Sequence, residues 1–179
     1  MIKKHPVFVK LLIVFAAISL IFAGINLVWY FGTKYEYIQQ TEKMDKVWDD
    51  IAEEYRYKKE TEDYSCVLRM PSYLSNDGFM SISSKPLELE YDENGNYVDN
   101  DQMAITLHIW AKSFGGFKYG VSIYNFSNRR QIYINADGSY IPSEDGNFEL
   151  DERNEALIEE YGNEIRNLLN VANNIWSLD

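Results

Sequence analysis

Few residues of this chain can do covalent chemistry. Cys66 is its one cysteine, and His5 and His108 are its only histidines. A thiolate nucleophile needs a neighbour to take its proton, and with His5 in the N-terminal tail only His108 could serve Cys66. A lone cysteine also excludes an intrachain disulfide and a thiolate zinc cluster. In "DYSCVLRM" the residues around Cys66 alternate as a strand does, which reads as a buried structural thiol. The patterns G-x-S-x-G, H-E-x-x-H, Walker A and G-x-G-x-x-G are all absent.

Oxygen ligands and acids are more plentiful. "DENGNYVDND" offers Asp92, Asn94, Asn96 and Asp99, and "DGNFELDE" offers Asp145, Asn147, Glu149 and Asp151. An EF-hand loop needs glycine at its sixth place and glutamate at its twelfth. Those places hold Tyr97 and Met103 in the first stretch, and Leu150 and Ala156 in the second. Both stretches read as turns, and no metal or other cofactor is expected. Glu88 and Glu90 share a strand face in "PLELEY", but alternation with Leu87, Leu89 and Tyr91 is the mark of a half-solvated strand. No catalytic carboxylate pair can be assigned.

A different chemistry, recognition by aromatic and polar side chains, follows from strand alternation. In "MAITLHIWAK", Ile105, Leu107 and Ile109 share one face, while Thr106, His108, Trp110 and Lys112 share the other. Placing Val121 and Ile123 of the next strand opposite the apolar face needs an odd-numbered loop, because a one-residue slip turns every side chain over. A three-residue loop, Phe114-Gly115-Gly116, meets that need. A two-residue Ser127-Asn128 loop then pairs Ile123 with Ile132 and Val121 with Ile134. The opposite face carries His108, Trp110, Ser122, Tyr124 and Tyr133, the candidate binding residues. With two amphipathic helices available, the expected arrangement covers this face and makes Trp110 and Tyr124 second-layer core. Left open, it is a binding surface.

The elements that position these residues are legible by period. Strands are predicted at "YSCVLRM", "FMSIS", "PLELEY", "MAITLHIWAK", "FKYGVSIYNF" and "RQIYIN", separated by Asn, Asp and Gly turns, as an antiparallel β-meander. Met44, Val47, Trp48, Ile51 and Tyr55 recur at spacings of three and four, which predicts a juxtamembrane helix over 32–60 whose stripe packs on the sheet. "LDERNEALIEEYGNEIRNLLNVANNIWSLD" predicts a C-terminal amphipathic helix, capped by Asp151 or Asn154, with Gly162 inside it for no evident reason. The fold class is α+β.

The N-terminus sets the location. Residues 11–31 carry no charge and would span roughly 30 Å as a helix, the thickness of a bilayer's hydrocarbon core. A signal-peptidase site after Ala23 would place bulky Ile21 where a small residue is needed, so an uncleaved anchor is expected. Trp29 and Tyr30 suit the membrane interface. Asn26 and the Ser19-x-x-x-Ala23 spacing suit a second helix in the membrane. Lys3, Lys4 and Lys10 precede the span and no acid does, so the other 14 basic residues face all 28 acidic ones, a net charge of −14. The positive-inside rule makes residues 1–10 a cytoplasmic tail and 61–179 an extracytoplasmic domain. So acidic a domain repels phosphate backbones, and nucleic acid is excluded as a partner.

These features describe a membrane-anchored, non-catalytic interaction module. Its partners are the lipid bilayer, through the N-terminal helix, and another envelope or membrane protein, a wall component or an incoming protein. The alternatives are a cell-envelope hydrolase using unidentified carboxylates and a membrane-bound immunity or regulatory subunit whose span docks with a partner.

Overall fold

The structure is a computed structural model. It describes residues 6–84, 90–91, 93–94, 97–98, 104–124, 129–142, 148–176 and 178. Helix α1 (Pro6–Trp29) continues through a π-helical turn (Tyr30–Lys34) into α2 (Tyr35–Gln39) without a break. Over Val7–Gln39 this is one helix long and apolar enough to cross a membrane, a property that an uncleaved anchor shares with a signal sequence. In the π turn the Tyr35 N–H donates to the Tyr30 carbonyl, one residue further back than in an α-helix.

The helix predicted over 32–60 stops at Gln39. Beyond it, β1 (Asp45–Asp49) and β2 (Glu54–Glu60) form an antiparallel hairpin in which Trp48 faces Tyr55 and Lys46 faces Tyr57. The physical reason lies in the residues of the stripe. Aromatic and β-branched side chains favour a pleated surface, and the aspartates compete with helical hydrogen bonding. Trp48 and Tyr55 meet edge to face at 4.9 Å, and the Lys46 ammonium lies 4.6 Å over the Tyr55 ring. At the turn the Asp49 carboxylate accepts the Ala52 N–H at 3.1 Å.

Strands β3 (Tyr64–Arg69), β4 (Phe79–Ser84), β7 (Ala104–Ala111), β8 (Phe117–Tyr124) and β9 (Arg129–Ile134) complete a seven-stranded antiparallel sheet in the order β1-β2-β3-β4-β7-β8-β9. Two short strands, β5 (Glu90–Tyr91) and β6 (Tyr97–Val98), pair separately. The rest of the predicted "PLELEY" strand lies outside the described residues.

Face assignments in β7, β8 and β9 match the alternation, but both registers are displaced by two residues. Leu107 pairs with Val121 and Ile105 with Ile123; Val121 pairs with Ile132 rather than Ile134. The β7–β8 connection is five residues long, closed by the Lys112 N–H donating to the Gly116 carbonyl at 2.9 Å. Its odd length keeps every side chain on the expected face.

One face of the sheet holds the core. Leu68, Met80, Ile109, Tyr119 and Ile134 form one buried row, and Cys66, Ile82, Leu107, Val121 and Ile132 the next. The C-terminal segment covers them as two helices, α3 (Phe148–Glu160) and α4 (Gly162–Ile175), broken at Tyr161. The break puts Gly162 at the first residue of α4, where an added Cβ would meet only the Arg166 side chain at 3.5 Å, and nothing there requires glycine. Asp151 and Asn154 sit inside α3, not at its cap, and Asp151 accepts the Tyr140 hydroxyl. Ile165, Leu168, Leu169, Ala172 and Ile175 of α4 are buried in the core beside β4 and β7. Trp176 seals its end, with the indole N–H 3.2 Å from the Met44 sulfur.

Candidate functional site

Because α4 is committed to the Leu107 and Ile109 side of β7, the alternate residues of that strand look away from both C-terminal helices. Registers across β7, β8 and β9 set His108 beside Gly120 and Gly120 beside Tyr133. Gly120 is the point that makes the cluster possible. A Cβ there would stand 3.1 Å from Trp110 Cζ3 and 3.2 Å from the Ile132 carbonyl oxygen, so glycine lets the indole lie close across the strand without displacing it.

The result is an aromatic ladder. His108 and Trp110 stack at 5.7 Å with 19° between their planes, and Trp110 meets Tyr133 edge to face at 6.2 Å. The Lys118 ammonium lies 3.9 Å over the Tyr133 ring. Each such contact contributes about 0.5–1.5 kcal/mol. His108 and Trp110 are half-buried, whereas Tyr133 is 44% exposed. Of the five residues singled out in the sequence, four come together here: His108, Trp110, Ser122 and Tyr133. Tyr124 shares the face at the far end of β8, and no described contact joins it to the others. Lys118 and Gly120 belong to the site as well. A glycine inside a strand pattern was the one available signal for the second.

The same face continues toward the hairpin edge as a charged patch. Arg56 stands over Phe79 at 6.0 Å and is bridged to Glu54 at 2.9 Å and to Asp49 at 3.5 Å. Glu54 also holds Arg69 at 3.0 Å, and Lys58 holds Asp49 at 3.5 Å. The predicted helix hid this patch, because Arg56 and Lys58 share a face only when the segment is a strand.

Cys66 and His108 do not form a nucleophile–base pair. Cys66 lies in the core row, on the opposite face of the sheet from His108, and burial pushes its thiol up to about 11. His108 Nε2 is 3.0 Å from Ser122 Oγ, but Ser122 is fully buried beneath the ladder, where a substrate carbonyl has no access to its hydroxyl.

Three carboxylates stand out by the hydrogen bonds they accept. Asp49, Asp77 and Asp137 are all held below the usual carboxylate range, chiefly by hydrogen bonds from Ala52, Ser72 and Ser139 respectively. Such groups are acceptors, the opposite of a general acid whose proton must be retained. Asp137 lines an open cleft of about 400 Å³ with Glu155, Glu159 and Arg166. Among the described residues no group of three metal-binding side chains stands together. Asp92, Asn96, Asp99, Asp145 and Asn147 of the two oxygen-rich stretches lie outside the described residues.

The junction with the N-terminal helix is built with equal care. Trp29 donates its indole N–H to the Ser75 carbonyl at 2.9 Å and packs against Tyr73 at 5.3 Å, while Tyr30 clusters with Phe31 and Tyr35. Asn26 accepts the Tyr73 hydroxyl and donates to the Phe22 carbonyl at 2.7 Å, so its amide is engaged within its own chain. The Phe114 N–H donates to the Gly32 carbonyl in the π turn at 2.8 Å.

No family model, curated protein or solved structure matches the chain.

Proposed function

We propose that this chain is a membrane-anchored, non-catalytic docking module. In this reading α1 stays in the bilayer as an uncleaved span, with Lys3, Lys4 and Lys10 on the cytoplasmic side and the acidic domain outside. The sheet face opposite α3 and α4 receives another envelope protein.

The observation that carries the reading is the placement of the ladder. His108, Trp110, Tyr133 and Lys118 stand on the face that the two C-terminal helices leave alone, with Tyr133 44% exposed. Aromatic side chains held rigid by stacking lose little conformational freedom on binding, and they dominate the energetics of protein interfaces. Arg56, Lys58 and Arg69 extend the face with charges already paired to Asp49 and Glu54, the composition of a polar rim.

The test is capture of the partner from native membranes by the full chain and two variants. Trp110→Ala removes the centre of the ladder. Tyr133→Lys removes the outer ring of the ladder, with its contacts to Trp110 and Lys118, and leaves the buried core untouched. The reading expects both to lose the partner while the Tyr133→Lys unfolding midpoint stays within a few degrees of wild type. Undiminished capture by Tyr133→Lys and Trp110→Ala overturns it.

A further inference from the structure

Three turns gather at one end of the sheet. Antiparallel pairing of Tyr57 with Leu68 sets the β1–β2 turn (50–53) beside the β3–β4 connection (70–78), and pairing of Met80 with Ile109 sets that connection beside the β7–β8 turn (112–116). This is also the end where the N-terminal helix enters, since Ser75 is bonded to Trp29 and Phe114 to Gly32.

Each turn carries one non-glycine residue in the left-handed backbone region: Glu53 at φ 51°, Leu74 at φ 56° and Phe114 at φ 65°. Glycine or asparagine would sit there at lower cost, and large apolar side chains are rare in that conformation. Leu74 and Phe114 are nonetheless 44% and 74% exposed, and Ile51, at the tip of the hairpin, is 98% exposed. Strain and exposed apolar surface coincide at two positions, a combination that folding alone does not favour.

The level of Tyr73 along the helix points to what meets this end of the sheet. Tyr73 bonds to Asn26, five residues before the apolar run ends at Phe31, a depth of about 7.5 Å at 1.5 Å per residue. An amphipathic surface at that depth stands at the boundary between headgroups and acyl chains.

We infer that the rim formed by Tyr73, Leu74, Phe114 and Ile51 rests in the interfacial layer of the same bilayer that α1 spans, as a second and lipid-facing contact of the domain. The inference rests on the anchored reading above. Continuity supports lipid as the occupant, because the rim begins where the span ends. Asp50 and Glu53 flank Ile51, so the contact is apolar in origin and suited to zwitterionic headgroups. A domain fixed in this way has a set orientation on the membrane, with both sheet faces standing upright from the lipid surface.

The experiment uses the full chain in phosphatidylcholine vesicles, nitroxide-labelled in turn at Val14→Cys, Leu74→Cys, Phe114→Cys and Tyr133→Cys. Native Cys66 is buried and stays unlabelled. Collision rates with oxygen, which concentrates in lipid, are compared with those of a water-soluble nickel chelate. Positions 14, 74 and 114 are expected to favour oxygen severalfold, and position 133 to favour nickel. Labels at 74 and 114 that behave like 133, or that are shielded from both reagents, overturn the lipid contact while position 14 still reports the span. Preference for nickel at position 14 as well overturns the anchored reading itself.

Discussion

The hydroxyl of Tyr37 donates to the Gly78 carbonyl at 2.7 Å and accepts the Ala111 N–H at 3.1 Å. One side chain of the N-terminal helix thus ties together the start of β4 and the end of β7, with its ring fully buried. The approach is close enough that a Cβ on Gly78 would stand 2.9 Å from both the Tyr37 ring and Pro71. The sheet and the helix that leads into it are packed together at this joint.

Removing the hydroxyl alone measures that tie. Tyr37→Phe keeps the packing but leaves a buried carbonyl and a buried amide unpaired, which costs about 1–3 kcal/mol. Chemical unfolding of the full chain in detergent should show this loss in midpoint. An unchanged midpoint means that the joint does not stabilise the domain.

Alkaline pH should loosen the fold, and the sign follows from two groups. Burial raises both the Tyr37 phenol and the Cys66 thiol above their ordinary values, the latter from 9.0 to about 11. Between those values the unfolded chain releases the Cys66 proton while the folded chain keeps it. Stability is therefore full below pH 9 and falls as pH climbs toward 11, with Tyr37 adding to the loss in the same direction above 10.0. Cys66→Ala should flatten the part of the decline that begins near 9, as read from unfolding midpoints at successive pH values. A decline identical to wild type would assign the effect elsewhere.

Gly120→Ala tests the ladder's foundation. The added methyl collides with the Trp110 ring and the Ile132 carbonyl, and such overpacking costs about 1–3 kcal/mol. A second substitution, Trp110→Leu, should recover part of that loss in a double-mutant cycle. Simple additivity would mean that the indole does not lie across Gly120.

Glu53→Gly, at an exposed residue with φ 51°, should stabilise the chain. Left-handed backbone costs a bulky residue about 1–2 kcal/mol, and glycine's greater freedom when unfolded returns about 0.5–1 kcal/mol of that. A net gain of about 0.5–1 kcal/mol in detergent is the expected result, and a loss would contradict the strain at this turn.

Much of this architecture was readable because alternation and turn residues are local. Cys66, Leu68, Met80 and Ile82 announce their face within their own strands, and parity alone put His108, Trp110 and Tyr133 on the same one. Register was not readable, since Phe114 takes a conformation usually left to glycine and so lengthens the β7–β8 turn to five residues. The hairpin escaped because Trp48 and Tyr55 are seven apart. That spacing aligns them on a helix face and also pairs them across a turn centred on Ile51 and Ala52. The joint was invisible for a different reason: Tyr37 meets Gly78 and Ala111 across 41 and 74 residues, and no local pattern encodes such partners. The side on which α4 packs was not readable either, because an apolar helix stripe does not say which face of a sheet it meets; α4 lies on the Leu107 and Ile109 side.

The division of labour between the two sheet faces is the central claim, and site-specific photocrosslinking in intact membranes tests it most directly. A photoreactive residue in place of Tyr133 should yield a protein adduct of one defined mass that Trp110→Ala abolishes. The same residue in place of Glu152, on the exposed side of α3, should yield none. Adducts from position 152 and none from 133 would contradict the account.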